Sequence, residues 1–115
     1  MSDKFILDGH NPVEEQDLMK WGQWFEKANR IVKKDRLEVT AKRGFSKEEH
    51  NLGFVEVSTV FLGLDHSFGG GVPLLFETMV FGGKMDGELD RCSTWEAAEK
   101  MHEAMIHKVR AEGVI

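Results

Sequence analysis

A chain of 115 residues is long enough for one domain and too short for two. Hydrophobic residues make up 41% and charged residues 30%, the balance of an ordinary globular protein rather than of a disordered or membrane-spanning one. The net charge of −5 argues against nucleic-acid binding, which needs a basic patch to neutralise phosphates.

The densest basic stretch, Arg30, Lys33, Lys34 and Arg36, is interrupted by Asp35 and reads as a solvated helix end. Surface scaling gives about 6,400 Å² folded against about 19,000 Å² unfolded, so a core can form without cross-links or metal. Cys92 is the sole cysteine, which excludes an intrachain disulfide and removes any need for an oxidising compartment. The apolar run Phe5-Ile6-Leu7 is too short for a signal peptide or a membrane span, so the cytoplasm is the expected location.

The first predicted element follows Asn11-Pro12, because proline suits the first turn of a helix and Glu14, Glu15 and Asp17 suit its N-terminus. Leu18, Trp21, Phe25, Ala28 and Val32 recur at helical spacing, predicting a helix from Val13 to Val32. Gly22 inside it suggests close approach of another element. Leu37 to Lys42 alternates apolar and polar residues as a half-buried strand does, and Arg43 to Gly53 reads as a long hairpin loop.

Phe54 to Leu64 is β-branched and aromatic, predicting a strand buried on both faces over its second half. Asp65 to Pro73 is a turn segment with three consecutive glycines, and Leu74 to Phe81 is a further apolar strand broken only by Glu77 and Thr78. The cluster Gly82 to Gly87 makes a turn, and Glu88 to Cys92 returns as an edge strand. Ser93-Thr94-Trp95-Glu96 fits a capping box with Ser93 as N-cap. The helix after it puts Trp95, Ala98, His102, Met105, Ile106 and Val109 on one face, and Gly113 marks its end. The expectation is a single α+β domain over residues 1–115. It is an antiparallel four-stranded meander with one helix before and one after, both packed on one face.

Five residues are candidates for a ligand site. Asp65 and His66 at a strand end could serve acid–base chemistry, and Gly70 within its glycine run could offer a backbone N–H to an anion. The preferred reading of the same loop is a flexible hairpin whose backbone turn is closed by Asp65 or Ser67. Glu77 and Thr78 cannot both face the core, so Glu77 is either buried with a partner or turned to water. His102 lies on the apolar stripe of the last helix, either looking into a pocket or satisfied in the core by a backbone carbonyl or by Glu77. Trp21 and Trp24 widen the first helix's stripe, so one of them could stay exposed as a partner-binding surface. The five histidines and Cys92 show no paired ligand spacing, so neither metal nor cofactor is expected, and Cys92 has no local activating base.

Ser58-Thr59-Val60-Phe61-Leu62-Gly63-Leu64-Asp65-His66-Ser67-Phe68 and Pro73-Leu74-Leu75-Phe76-Glu77-Thr78-Met79-Val80-Phe81-Gly82-Gly83 carry a resemblance, as does Ser93-Thr94-Trp95-Glu96-Ala97-Ala98-Glu99 with His102. With Ile6-Leu7-Asp8-Gly9, Leu18-Met19 and Trp21, the chain resembles a group of small uncharacterised proteins of tailed phages and prophages. The resemblance implies a phage origin and a bacterial host cytoplasm, and no mechanism. The segment Leu37 to Gly53 is longer than in that group.

The leading expectation is a phage accessory protein acting by binding, with a host protein or a second copy of itself (a homodimer) as partner. A binder that sequesters a small nucleotide-like molecule is the second, with its site between the glycine loop and the final helix. A small enzyme using His66 or His102 with Asp65 or Glu77 is the third.

Overall fold

The computed structural model describes residues 3–42 and 49–112. Their order is β1 (Phe5–Asp8), β2 (Asn11–Glu14), α1 (Leu18–Lys27), β3 (Ile31–Lys42), β4 (Glu49–Phe61), β5 (Phe76–Phe81), β6 (Leu89–Cys92) and α2 (Trp95–Glu112). β3 to β6 form one antiparallel sheet in chain order, and β1 pairs with β2 in a separate two-stranded sheet. The fold is therefore the expected α+β meander, with a helix before the four strands and a helix after them.

The N-terminal hairpin departs from the predicted helix. Asp8-Gly9-His10-Asn11 is a two-residue turn in which Gly9 takes φ +61°, and Pro12 lies opposite Leu7 on a strand with a free edge, where its missing N–H costs little. The helix waits until Asp17, whose Oδ1 accepts from the backbone N–H groups of Met19 and Lys20 at 2.9 and 3.2 Å. It ends at Lys27 because Ala28 is extended, and Ile31 and Val32 belong to β3 instead. No element approaches Gly22 closely: a Cβ there would meet nothing within 4 Å.

Within the sheet, β3 starts six residues before the predicted Leu37, and β4 runs from Glu49, so residues 49–53 of the predicted loop are strand. β4 ends at Phe61, three residues short of the predicted Leu64, and β5 starts at Phe76 rather than Leu74. Neither central strand is buried on both faces. Val55, Val57, Thr59 and Phe61 of β4 and Phe76, Thr78 and Val80 of β5 are buried on one face, while the residues between them are half-buried or exposed. On α2 the N-cap is Thr94, not Ser93: its Oγ1 accepts from the Ala97 N–H at 3.1 Å. The bend at Ser93 and Thr94 after β6 moves the helix start one residue along, so Glu96 falls in the first turn without being the third helical residue. The predicted end at Gly113 lies outside the described residues.

The core has two parts on the same side of the sheet. Val55, Val57 and Val80 meet Met105, Ile106 and Val109 of α2. Phe61, Leu75, Phe76 and Ala98 gather Phe5, Leu7, Trp24 and Trp95 around them. The N-terminal hairpin and α1 thus close the end of the layer that α2 begins. They are fastened at Gly63, whose carbonyl accepts from Phe5 N–H at 2.9 Å and from Trp21 Nε1 at 3.1 Å. Gly63 has φ +76°, and a Cβ there would lie 2.9 Å from Phe25. Gly63→Ala is expected to cost about 1–3 kcal/mol, read as a lower urea midpoint with unchanged slope.

Candidate functional site

Three places in this fold bear on function: a buried hydrogen-bond chain, the glycine loop, and the uncovered face of the sheet.

The chain runs from the surface inward. Asp35 Oδ2 on β3 lies 2.7 Å from His102 Nε2 on α2, and His102 Nδ1 lies 2.7 Å from Thr59 Oγ1 on β4. Thr59 Oγ1 is in turn 2.5 Å from Thr78 Oγ1 on β5. Register puts these groups together: Asp35 pairs with Val57, Thr59 pairs with Thr78, and all of them except His102 come from strand positions facing α2. An ionised carboxylate only accepts, so Nε2–H donates to Asp35. In neutral His102, Nδ1 then accepts from the Thr59 hydroxyl, which accepts from Thr78. Carboxylate, imidazole and hydroxyl thus lie in the order used for nucleophile activation. Yet Thr59, Thr78 and His102 are fully buried, and only Asp35, 41% exposed, touches water. The hydroxyls are sealed from any substrate, and the arrangement satisfies polar groups within the core.

His102 therefore keeps its expected inward direction, but its partners are Thr59 and Asp35 rather than Glu77. Glu77 projects from the opposite face of β5, half-buried, and accepts from Arg91 Nε at 2.9 Å. The predicted meeting of Glu77 with His102 cannot occur through the sheet. Sequence reasoning missed Asp35, Thr59 and Thr78 as a set. The signal present was the acid interrupting a basic run and two threonines on apolar strands.

The glycine loop is closed by its own carboxylate. Asp65 Oδ1 accepts from Ser67 N–H at 2.8 Å and Leu74 N–H at 3.0 Å, and Oδ2 accepts from Ser67 Oγ at 2.9 Å. The Ser67 backbone bond, supported by the others, holds the Asp65 carboxyl below its ordinary range. Its share of stability is present above the unfolded carboxylate pKa and disappears as pH falls through the lower folded value. Asp65→Asn should therefore flatten the acid limb of a urea-midpoint profile between pH 5 and 2 while leaving its shape near neutrality. Half-buried His66 shares its Nδ1 proton with the Leu64 carbonyl at 2.9 Å. Gly70 is exposed with open space around it, and Phe68, at φ +52° and 84% exposed, occupies the tip. This is the hairpin closure weighed for the loop.

Trp21 and Trp24 are both half-buried. Trp21 Nε1 donates to the carbonyls of Phe5 and Gly63, and Trp24 packs edge-on against Phe61 at 5.7 Å. Cys92 lies at the strand-to-helix junction, where burial pushes its thiol up and keeps it protonated. Among the described residues no cluster of three or more His, Cys, Asp or Glu could hold a metal ion, and no helix is long and apolar enough to cross a membrane.

The face of the sheet turned away from both helices is the unusual surface. A sheet wet on one side ordinarily carries polar residues there. Here Ile31, Phe54, Val60, Met79, Phe81 and Leu89 occupy outward positions. Ile31, Phe54, Phe81 and Leu89 are 46%, 51%, 47% and 42% exposed. Charged side chains of neighbouring strands are interleaved among them. Lys34 and Arg36 lie 3.7 and 3.5 Å from Glu56, Arg36 stacks over Phe54, and Arg91 holds Glu77. Such a surface can take up apolar area without leaving Glu56 or Glu77 unpaired. The sequence reading missed it because it took the second half of β4 as buried on both faces and left open which side of β5 was covered. No family model, curated protein or solved structure matches the chain.

Proposed function

We propose that the chain is a phage-encoded accessory protein that works by binding a protein, a host protein or a further copy of itself, rather than by catalysis. The observation that carries this reading is the sheet face on which Ile31, Phe54, Val60, Met79, Phe81 and Leu89 point outward. Phage origin and a place in the bacterial cytoplasm rest on the sequence resemblance. The catalytic and small-ligand readings lose their support where Glu77 and His102 lie on opposite faces and the Asp65 oxygens are occupied by the loop backbone.

The test is affinity capture from bacterial cells that also express an untagged copy of the chain. Three tagged baits are compared: the natural chain, Phe81→Asp/Leu89→Asp, and Val72→Asp as an exposed loop control. A protein held by the first and third baits and lost by roughly tenfold from the second supports the reading. Equal capture by all three, or capture of nothing by any, overturns it.

A further inference from the structure

We infer that the occupant of the open sheet face is a second copy of this chain, packed face to face across a two-fold axis. The inference rests on the reading of that face as a binding surface.

Charge is the first argument. The chain carries a net −5, so most ways of bringing two copies together set like charges against each other. The open face is different. Lys34, Arg36 and Arg91 are balanced on it by Glu38, Glu56 and Glu77, and Glu56 and Glu77 are already held by cations of the adjoining strands. A two-fold interface must be complementary to itself, and a face whose charges cancel meets that condition. A strongly acidic or basic partner would find no complement here.

The edges of the sheet give the second argument. Joining two sheets edge to edge needs a long free strand with few charges. β6 has four residues. β3 is long, but Lys33, Lys34, Asp35 and Arg36 run along it, and Lys33 and Asp35 are tied to Glu103 and His102 of α2. Both edges are blunted, while the outward face retains its apolar side chains. On the helix side, Ala98, Met105, Ile106 and Val109 of α2 are taken up in the two core clusters, while Leu18 and Met19 of α1 stay exposed as an adjacent pair rather than as a face.

Size sets the strength. Four strands about 4.8 Å apart and about six residues long at 3.4 Å each give a platform of about 400 Å² in plan. Two such faces bury about 800 Å² together, below the roughly 1,200 Å² at which stable interfaces begin, so the dimer belongs with weak, transient pairs and should dissociate at micromolar or higher concentration. Because each substituted side chain occurs twice at a two-fold interface, single changes there act with double effect.

Sedimentation equilibrium of the full chain between about 5 and 500 µM is the test. The mass is expected to rise with concentration from 13.1 kDa towards twice that value. Phe81→Asp and, separately, Leu89→Asp should weaken association roughly tenfold or more, and Val72→Asp should leave it unchanged. Circular dichroism of each variant at low concentration establishes that it is folded. A natural chain that stays at one mass throughout, or a dimer indifferent to both face substitutions, overturns the inference. Face-dependent capture of a foreign protein by such a monomeric chain would leave the binding reading standing while this inference falls.

Discussion

Replacing His102 by alanine is expected to remove about 3–5 kcal/mol of folding stability, a large part of the roughly 5–15 kcal/mol that holds a domain of this size. Two effects add. The imidazole vacates a fully buried site beneath α2, leaving a cavity between the helix and the sheet. The Thr59 hydroxyl then loses the ring nitrogen that accepts its proton, and it has no water to turn to. The variants along the chain should grade accordingly. Thr59→Val leaves the buried Nδ1 of His102 without a donor and should cost about 1–3 kcal/mol. Thr78→Val removes only the innermost hydroxyl and keeps the Thr59–His102 bond, so about 1 kcal/mol is expected. Asp35→Asn retains an acceptor beside Nε2 at a partly exposed site and should cost least. Chemical denaturation of the four variants checks the order. A Thr78→Val loss equal to that of His102→Ala would contradict the linear chain.

Phe61→Ala should cost a comparable 3–5 kcal/mol for a different reason. Phe61 is fully buried at the end of β4 and joins two parts of the molecule. Its ring meets Trp24 of α1 at 5.7 Å nearly at right angles and Phe76 of β5 at 5.3 Å. Its backbone carbonyl accepts from Arg30 Nη1 at 3.1 Å. Truncation opens space under α1 while leaving the contacts of α2 with Val55, Val57 and Val80 in place. The loss should therefore fall chiefly on the N-terminal hairpin and α1. Denaturation followed by tryptophan emission and by far-ultraviolet dichroism checks this, since Trp24 should redden before the sheet is lost. In a double-mutant cycle, Phe61 and Trp24 should couple by about 0.5–1.5 kcal/mol. Coincident transitions and no coupling would contradict the bridging role.

The meander and the closing helix were legible because their signals are local. Alternation marked β3, β-branched and apolar runs marked β4 and β5, the Gly82–Gly87 cluster marked a turn, and a 3.6-residue stripe ran from Ala98 to Val109 along α2. Met101, also buried there, escaped only because a narrow stripe was drawn. The N-terminal hairpin was misread because Pro12 and the acids behind it suit a helix start as well as a strand edge. Asp8-Gly9 between Ile6-Leu7 and Val13 was the hairpin signal, and the hydrophobic spacing beginning at Leu18 outweighed it. The lower end of the predicted helix failed because Ile31 and Val32 fit its stripe, although β-branched residues fit a strand better.

The site was legible only in part. That His102 faces inward follows from its own helix. Its partners come from two strands, 43 and 67 positions away, and only register decides which side chains meet. The open face was hidden for a related reason: a run such as Met79-Val80-Phe81 shows that apolar groups lie on both sides, without showing whether both sides are covered.

Fastening the N-terminal hairpin at Gly63 has a consequence for the order of assembly. Phe5 and Trp21 leave the ribosome well before Gly63, Leu75 and Phe76 exist to receive them. The meander, by contrast, closes through strands that are neighbours in sequence. The segment made first thus finds its place late, and until β4 and β5 have joined its apolar side chains wait without a seat.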